Sequence, residues 1–196
     1  IVVMGHPVIP FGTAQIRPRA YEGDARIRSV TVPGSVKTIG MRAFADCRNL
    51  TSVTLREGIE TIEPNAFTGC INLKSIRLPS SIKHITGWAF YRSGLENPVL
   101  SASGQILVFC PQTAAGGEYT VPESVREIGT QAFVELQDLK RIILPEGLKI
   151  IRERAFVACE FEAVSLPKSI KYIETGAFYN CKKLKDITGL QKSDPV

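Results

Sequence analysis

The sequence predicts a solenoid, one chain wound into stacked short coils. Three observations predict it: an Ala-aromatic pair recurs at near-constant spacing, a fixed set of apolar positions travels with it, and each unit is too small to fold alone. The pair stands at Ala20-Tyr21, Ala43-Phe44, Ala66-Phe67, Ala89-Phe90, Ala132-Phe133, Ala155-Phe156 and Ala177-Phe178, with successive spacings of 23, 23, 23, 43, 23 and 22 residues. Self-similarity at a period of this length is the signature of a repeat architecture. A unit of about 23 residues cannot bury its own apolar face, so neighbouring units must cover one another.

The elements follow in order within each unit. Two apolar residues two apart, such as Val30 and Val32, Val53 and Leu55, Ile76 and Leu78, Tyr119 and Val121, Ile142 and Leu144, or Val164 and Leu166, have strand period. One short strand per repeat is expected, all in parallel. Pro33, Pro79, Pro122, Pro145 and Pro167 end that strand, and a Ser or Gly two residues on suits the turn. The chain then reverses through a second apolar pair three apart: Val36 and Ile39, Ile59 and Ile62, Ile82 and Ile85, Val125 and Ile128, Leu148 and Ile151, Ile170 and Ile173. The Ala-Phe step that follows reads as a single helical turn or a 3-10 piece, with Ala permitting close approach and Phe filling the interior. A small residue, usually Cys, comes three places after the Phe.

The whole chain, 1–196, reads as a single domain, with a degenerate first repeat at about 7–26 and an irregular rung at about 94–118. The 43-residue gap between Ala89 and Ala132 holds one normal repeat plus a 20-residue variant, from which a loop or bulge is expected to project around 112–118.

At 196 residues and 44% hydrophobic content the chain can bury a continuous core. No apolar run approaches the roughly 18 to 20 residues that cross a bilayer; residues 106–110 are cut off by Pro111 and then Gly116 and Gly117. The chain reads as soluble. It opens on Ile1 with no basic stretch leading into an apolar run, so a signal peptide is read as removed or left out. The formal charge of +5 is too mild for a dedicated nucleic-acid binder unless concentrated on one face. The five cysteines, Cys47, Cys70, Cys110, Cys159 and Cys181, include no CxxC pair, which argues against a zinc site or a disulfide framework.

Together the residues resemble a known family. Leu50-Thr-Ser-Val-Thr-Leu55, then Ile59-Glu-Thr-Ile62, then Ala66-Phe67-Thr-Gly-Cys70 is similar to the repeat of BspA-like leucine-rich-repeat proteins of bacterial and some protozoan surfaces, and the likeness runs from about Ile9 to Ile187. The irregular rung, Ile106-Leu-Val-Phe-Cys-Pro111 before Tyr119-Thr-Val-Pro122, also resembles a variant that such proteins interpose. Arg56 stands where Pro is usual, and Ser93 and Leu136 stand where Cys is usual. The resemblance implies a horseshoe-like, right-handed leucine-rich-repeat coil with turns, short strands or 3-10 segments on the return side. It further implies adhesion or protein recognition in an extracellular setting, on the cell surface or secreted, with no catalytic residues and no cofactor.

Catalysis has little to work with. The sequence lacks GxSxG, HExxH, a P-loop and a dinucleotide fingerprint, and its two histidines, His6 and His84, have no partner set at triad or metal spacing and read as surface or turn residues. No metal ligand set is expected. Cys47 and Cys70, and Cys159 and Cys181, fall on neighbouring rungs within disulfide reach, but a ladder of buried small residues accounts for them as reduced core thiols. Glu60, Glu127 and Glu174 lie outside the core frame and read as solvated.

Two exposed rows are the candidate sites. The strand face comprises the outward residues, of which Thr31, Thr54, Arg77, Thr120, Arg141, Ile143 and Ser165 are the candidates for contact with a protein partner such as a host matrix or cell-surface protein. Small hydroxyl residues also simply suit a parallel sheet. The second row, Lys37, Lys83, Arg126, Lys149 and Lys171, with Glu60 as its one exception, forms a basic ridge that suits an acidic glycan or other polyanion; the plainer account is a solvated face that carries charge. Specific nucleic-acid binding is not expected, since no stack of exposed aromatics accompanies the charges. A structural spacer is the rival to both.

Overall fold

The computed structural model describes residues 2, 3, 5–114 and 116–189. It divides into two compact units, 1–102 and 103–196. The first contains β1 (Val2–Val3), β2 (His6–Pro7), β3 (Gln15–Ile16), β4 (Ser29–Val32), β5 (Thr38–Ile39), β6 (Ser52–Leu55), β7 (Thr61–Ile62), β8 (His84–Ile85) and β9 (Val99–Leu100). The second contains β10 (Ile106–Phe109), a 3-10 turn (Gln112–Ala114), β11 (Gly117–Thr120), β12 (Glu127–Ile128), β13 (Leu139–Ile143), β14 (Ile150–Ile151), β15 (Ala163–Ser165), β16 (Tyr172–Ile173) and β17 (Asp186–Thr188).

Each unit is a parallel β-solenoid. In the first, β4 and β6 pair in parallel with Thr31 beside Thr54, and β3, β5, β7 and β8 form the parallel sheet of the return side. An antiparallel β1-β2 hairpin covers the start of the strand side, where the Gly5 carbonyl accepts from Arg28 and Ser29 and His6 hydrogen-bonds the Ser29 hydroxyl. In the second, β10, β12, β14 and β16 form the return sheet, while β11 pairs with β13 and β15 with β17.

Inward positions match the sequence frame. Val30, Val32, Val36, Ile39, Ile59, Ile62, Val125, Ile128, Leu148 and Ile151 are buried. The aromatic residues stack rung on rung: in the first unit Tyr21, Phe44, Phe67 and Phe90 lie 5.2, 5.4 and 5.9 Å apart and nearly parallel. In the second, Phe133, Phe156 and Phe178 follow at 5.0 and 5.2 Å. Burial of the fully enclosed rings, Phe44, Phe67, Phe90, Phe133 and Phe156, contributes about 2 to 3 kcal/mol each.

The Ala-Phe step is a turn rather than a helical or 3-10 piece, because its amides alternate between two kinds of partner. Ala43, Ala45 and Cys47 donate to carbonyls three residues back, whereas Arg42, Phe44 and Asp46 donate to Pro64, Ala66 and Thr68 of the next rung. Sending every second amide across to a neighbour requires left-handed backbone at both ends of the step. Arg42 and Asp46 have φ of 55° and 56°, and Gln131 with Glu135, and Arg154 with Ala158, repeat the pattern.

One expectation of the strand side is corrected: residues 74–79 form no strand and do not pair with β6, although Leu78 is buried and Ile76 half-buried. Where a loop or bulge was expected to project, a 3-10 turn spans Gln112–Ala114 and the register of β11 against β13 shifts at Gly117/Glu118.

Candidate functional site

Outward residues of the strands are set by strand alternation, and all seven strand-face candidates, Thr31, Thr54, Arg77, Thr120, Arg141, Ile143 and Ser165, are exposed. In the first unit Thr31 and Thr54 are register partners, and Arg77 lies in the strandless segment that follows. In the second, Thr120 stands beside Ile143 and Glu118 beside Arg141, with an Arg141 to Glu118 ion pair of 3.5 Å. Ile143 is a large apolar residue at 38% exposure.

Arg141, Ile143 and Ser165 meet at one place. They line an open cleft of about 560 Å³ between β13 and β15, with Ile142, Val164 and Leu166 beneath. Its rim charges are engaged: Lys140 pairs with Glu160 at 3.3 Å and Glu162 with Lys185 at 3.0 Å. The Lys183 and Lys140 ammonium groups hold the Glu160 carboxyl below the usual carboxylate range, and Lys185 does the same for Glu162. Nothing in the sequence frame marked this cleft except the single 22-residue step.

The basic ridge differs between the units. In the first, Glu60 sits between Lys37 and Lys83 and bridges both, at 3.5 and 2.7 Å, so the row alternates in sign. In the second, Arg126 turns back onto the carbonyls of Glu123 and Val125, at 2.7 and 3.0 Å. Lys149 and Lys171 are exposed on adjacent rungs, joined through the Lys149 carbonyl, which accepts from the Lys171 amide at 2.8 Å. Among the described residues no ion pair joins either of them to an acid.

The carboxylates expected to be solvated are instead partnered. Glu127 grips Arg152 through two hydrogen bonds of 2.8 and 3.1 Å, and Glu174 takes the same guanidinium at 2.7 Å while accepting the Glu153 amide at 2.9 Å. Burial pulls the Glu174 carboxyl upward, but Arg152 and the Glu153 amide outweigh it and leave the group below its ordinary value. These contacts span 21 to 25 residues of sequence, about one repeat, which is why the identity of a single unit gave no sign of them. His6 and His84 are both exposed.

The cysteines form part of the interior. All five are free thiols. Cys47, Cys70, Cys159 and Cys181 each donate to a carbonyl of the preceding rung, Tyr21, Phe44, Phe133 and Phe156, at 2.9, 3.1, 2.7 and 2.9 Å. Burial pushes the Cys47 thiol up to about 11 and Cys110 up to about 12, and raises Cys70 and Cys159 further. Among the described residues no group of three His, Cys, Asp or Glu side chains could hold a metal ion, and no helix is long and apolar enough to cross a membrane.

A parallel strand on one side, a turn-rich return and an inward apolar ladder define a leucine-rich-repeat protein. The chain belongs to the family of the BspA type leucine-rich repeat region, whose model matches six copies over residues 6–107 and 112–193. Its fold is similar to that of the pneumococcal vaccine antigen PcpA, at 21% identity and a TM-score of 0.60, covering 88% of this chain and 53% of that one. A leucine-rich-repeat protein from Eubacterium ventriosum gives 17% identity and a TM-score of 0.56, over 94% of this chain and 72% of the other. One from Bacteroides ovatus gives 22% and 0.50, over 93% and 47%. The chain thus spans about half the length of PcpA. No curated protein matches it.

Proposed function

We propose that the chain is a non-enzymatic extracellular recognition or adhesion module, on the cell surface or secreted, that binds a protein partner through its strand face. One observation carries this reading: inward columns keep the same residue class from rung to rung, while the outward positions change from Thr31 and Thr54 to Arg77, and from Thr120 to Ile143 and Ser165. Side chains released from packing are free to be shaped by contact, and Arg and large apolar residues dominate binding energy at protein interfaces. Membership of the BspA type leucine-rich-repeat family and a fold similar to that of a pneumococcal vaccine antigen support the setting.

The test is saturable binding to immobilised extracellular-matrix proteins, compared with a variant carrying Arg77→Glu, Arg141→Glu and Ile143→Asp. Binding lost in the variant supports the strand face. Absence of saturable binding by the unaltered chain favours a structural spacer.

A second reading, capture of an acidic glycan or other polyanion, is favoured in the second unit by Lys149 and Lys171, exposed on adjacent rungs with no acid between them. Retention on heparin should then fall steeply between low and physiological salt and disappear with Lys149→Glu and Lys171→Glu. Lys83→Glu should matter less, because Glu60 already engages Lys83. Retention that survives the paired change would remove this reading.

A further inference from the structure

Ion pairs in this chain run from rung to rung. Glu60 joins Lys37 and Lys83, Glu118 joins Arg141, Glu160 joins Lys183 and Glu162 joins Lys185, each at an interval of 23 residues. Stacking makes neighbours of residues one repeat apart, so an exposed cation finds its acid on the adjacent rung. Lys74 follows the same habit with Glu96, 22 residues on.

The strand side of the first unit breaks this pattern. Residues 28–33, 51–56 and 74–79 hold four cations, Arg28, Arg56, Lys74 and Arg77, and no acid. All four are exposed. One repeat away from the arginines stand Thr51 for Arg28, Pro33 and Pro79 for Arg56, and Thr54 for Arg77. Among the described residues no ion pair engages Arg28, Arg56 or Arg77. The acids that flank these segments are committed elsewhere. Asp24 takes Arg26 at 2.7 Å, and Glu57 accepts from the Ser80 and Ser81 amides at 2.9 and 3.1 Å. The hydroxyls of this side are open as well. Ser29 is engaged by His6, and Thr51 donates to the Arg28 carbonyl at 3.0 Å, but Thr31, Ser52, Thr54 and Ser75 have no side-chain partner among the described residues.

We propose that this face takes an acidic, carboxylate-rich segment of a partner protein, laid over the side chains, with its carboxylates on Arg28, Arg56 and Arg77 and its main-chain groups on the free hydroxyls. The inference rests on the protein-recognition reading above and names the chemistry of the partner. The segment lies on top of the rungs and parts none of them. Three features select it. The acids that the rung-to-rung pattern would place on this face are absent from the chain, and a complementary partner supplies them. A guanidinium offers a carboxylate two parallel N–H donors, and hydroxyls both donate and accept, so they serve the carbonyl and amide groups of a polypeptide alike. No aromatic ring stands in the three segments, so a sugar ring or a base has no flat surface to stack on.

The test is fluorescence polarisation with a labelled twelve-residue peptide of alternating Asp and Ser, its Asn-Ser counterpart, and heparin. The unaltered chain should bind the Asp peptide saturably and at least tenfold more tightly than the Asn peptide, with affinity falling as salt rises from low to physiological. Arg28→Glu, Arg56→Glu and Arg77→Glu together should abolish binding. Arg56→Gln with Arg77→Gln leaves the core untouched and should weaken the Asp peptide at least tenfold; it carries the comparison if the triple variant does not fold. Arg141→Glu should leave affinity within twofold, because Glu118 already engages Arg141. The proposal is overturned if the unaltered chain binds both peptides alike or neither, if the arginine changes leave affinity unchanged, or if Arg141→Glu weakens it as much. Heparin retained through Arg28, Arg56 and Arg77 while the Asp peptide is not would overturn it in favour of a glycan. Matrix protein whose binding is lost with Arg141→Glu and Ile143→Asp, yet untouched by Arg56→Gln and Arg77→Gln, would overturn the acidic partner while leaving strand-face recognition standing.

Discussion

Phe161 stands edge-on to Phe156, with ring centroids 5.7 Å apart and planes at 86°, and takes the interior place that leucine holds in neighbouring rungs. It also meets Phe178 edge-on at 6.4 Å, so one ring fastens two rungs of the aromatic stack. Such contacts add to area burial because the ring edge meets the face of its neighbour. The shortened rung thus keeps a filled core while losing its continuity on the strand face.

Phe161→Ala should cost about 3 to 5 kcal/mol, the range for removing a fully buried aromatic ring. Phe161→Leu should cost much less, since it restores the residue type of the column. Chemical denaturation monitored by circular dichroism measures both, and a loss below about 1 kcal/mol for the alanine variant would show that the ring is dispensable.

Acid should weaken the second unit through Glu174. Its folded-state carboxyl lies below the ordinary value, so the stabilisation is complete above the normal carboxylate range and is lost as pH falls through the depressed folded value. Arg152→Gln should return the Glu174 titration toward its ordinary midpoint and cost about 1 kcal/mol near neutral pH, as expected for partly exposed ion pairs. Carbon-detected NMR titration of the Glu174 carboxyl follows this directly; an unchanged midpoint in the variant would exclude Arg152 as the cause.

The thiols should be inert while the chain is folded. With the Cys47 thiol at about 11, its thiolate population near pH 8 is on the order of one in a thousand, and burial raises Cys70 and Cys159 further. Iodoacetamide should label Cys181, the least buried of the five, ahead of the others, and all five only in denaturant. Rapid labelling of Cys70 in the native chain would contradict the packing.

Gln131→Gly should stabilise the chain by about 1 kcal/mol, the cost of left-handed backbone in a residue with a Cβ. Gln131 has φ of 56°, and its side-chain oxygen is buried without a hydrogen-bond partner, so the substitution relieves two penalties together. A rise in Tm is the expected reading, and a fall would mean that the glutamine side chain contributes packing that outweighs both. By contrast, Gly58→Ala should destabilise, since an added Cβ would lie 2.2 Å from the Gly34 carbonyl oxygen.

A single domain over 1–196 is our proposal, and it predicts one unfolding transition, because nearest-neighbour coupling makes a short repeat array cooperative. Amide exchange should give the most protected residues of 5–102 and of 103–189 the same opening free energy. Two separate values would make the two compact units independent folding bodies.

The sequence by itself determined the repeat, its inward columns and its family, because burial of one apolar stripe is imposed on every rung alike and leaves a mark at a fixed period. Val36, Ile39, Phe44 and Cys47 each announced a column that the fold fills. Only the tertiary structure decided what depends on neighbours one repeat away. It set Glu60 between Lys37 and Lys83, brought Glu127 and Glu174 to Arg152, left residues 74–79 without a ladder, and opened the cleft beside Ile143 and Ser165. Side-chain reach and strand register across stacked rungs govern these features, and neither is written in the composition of a single repeat.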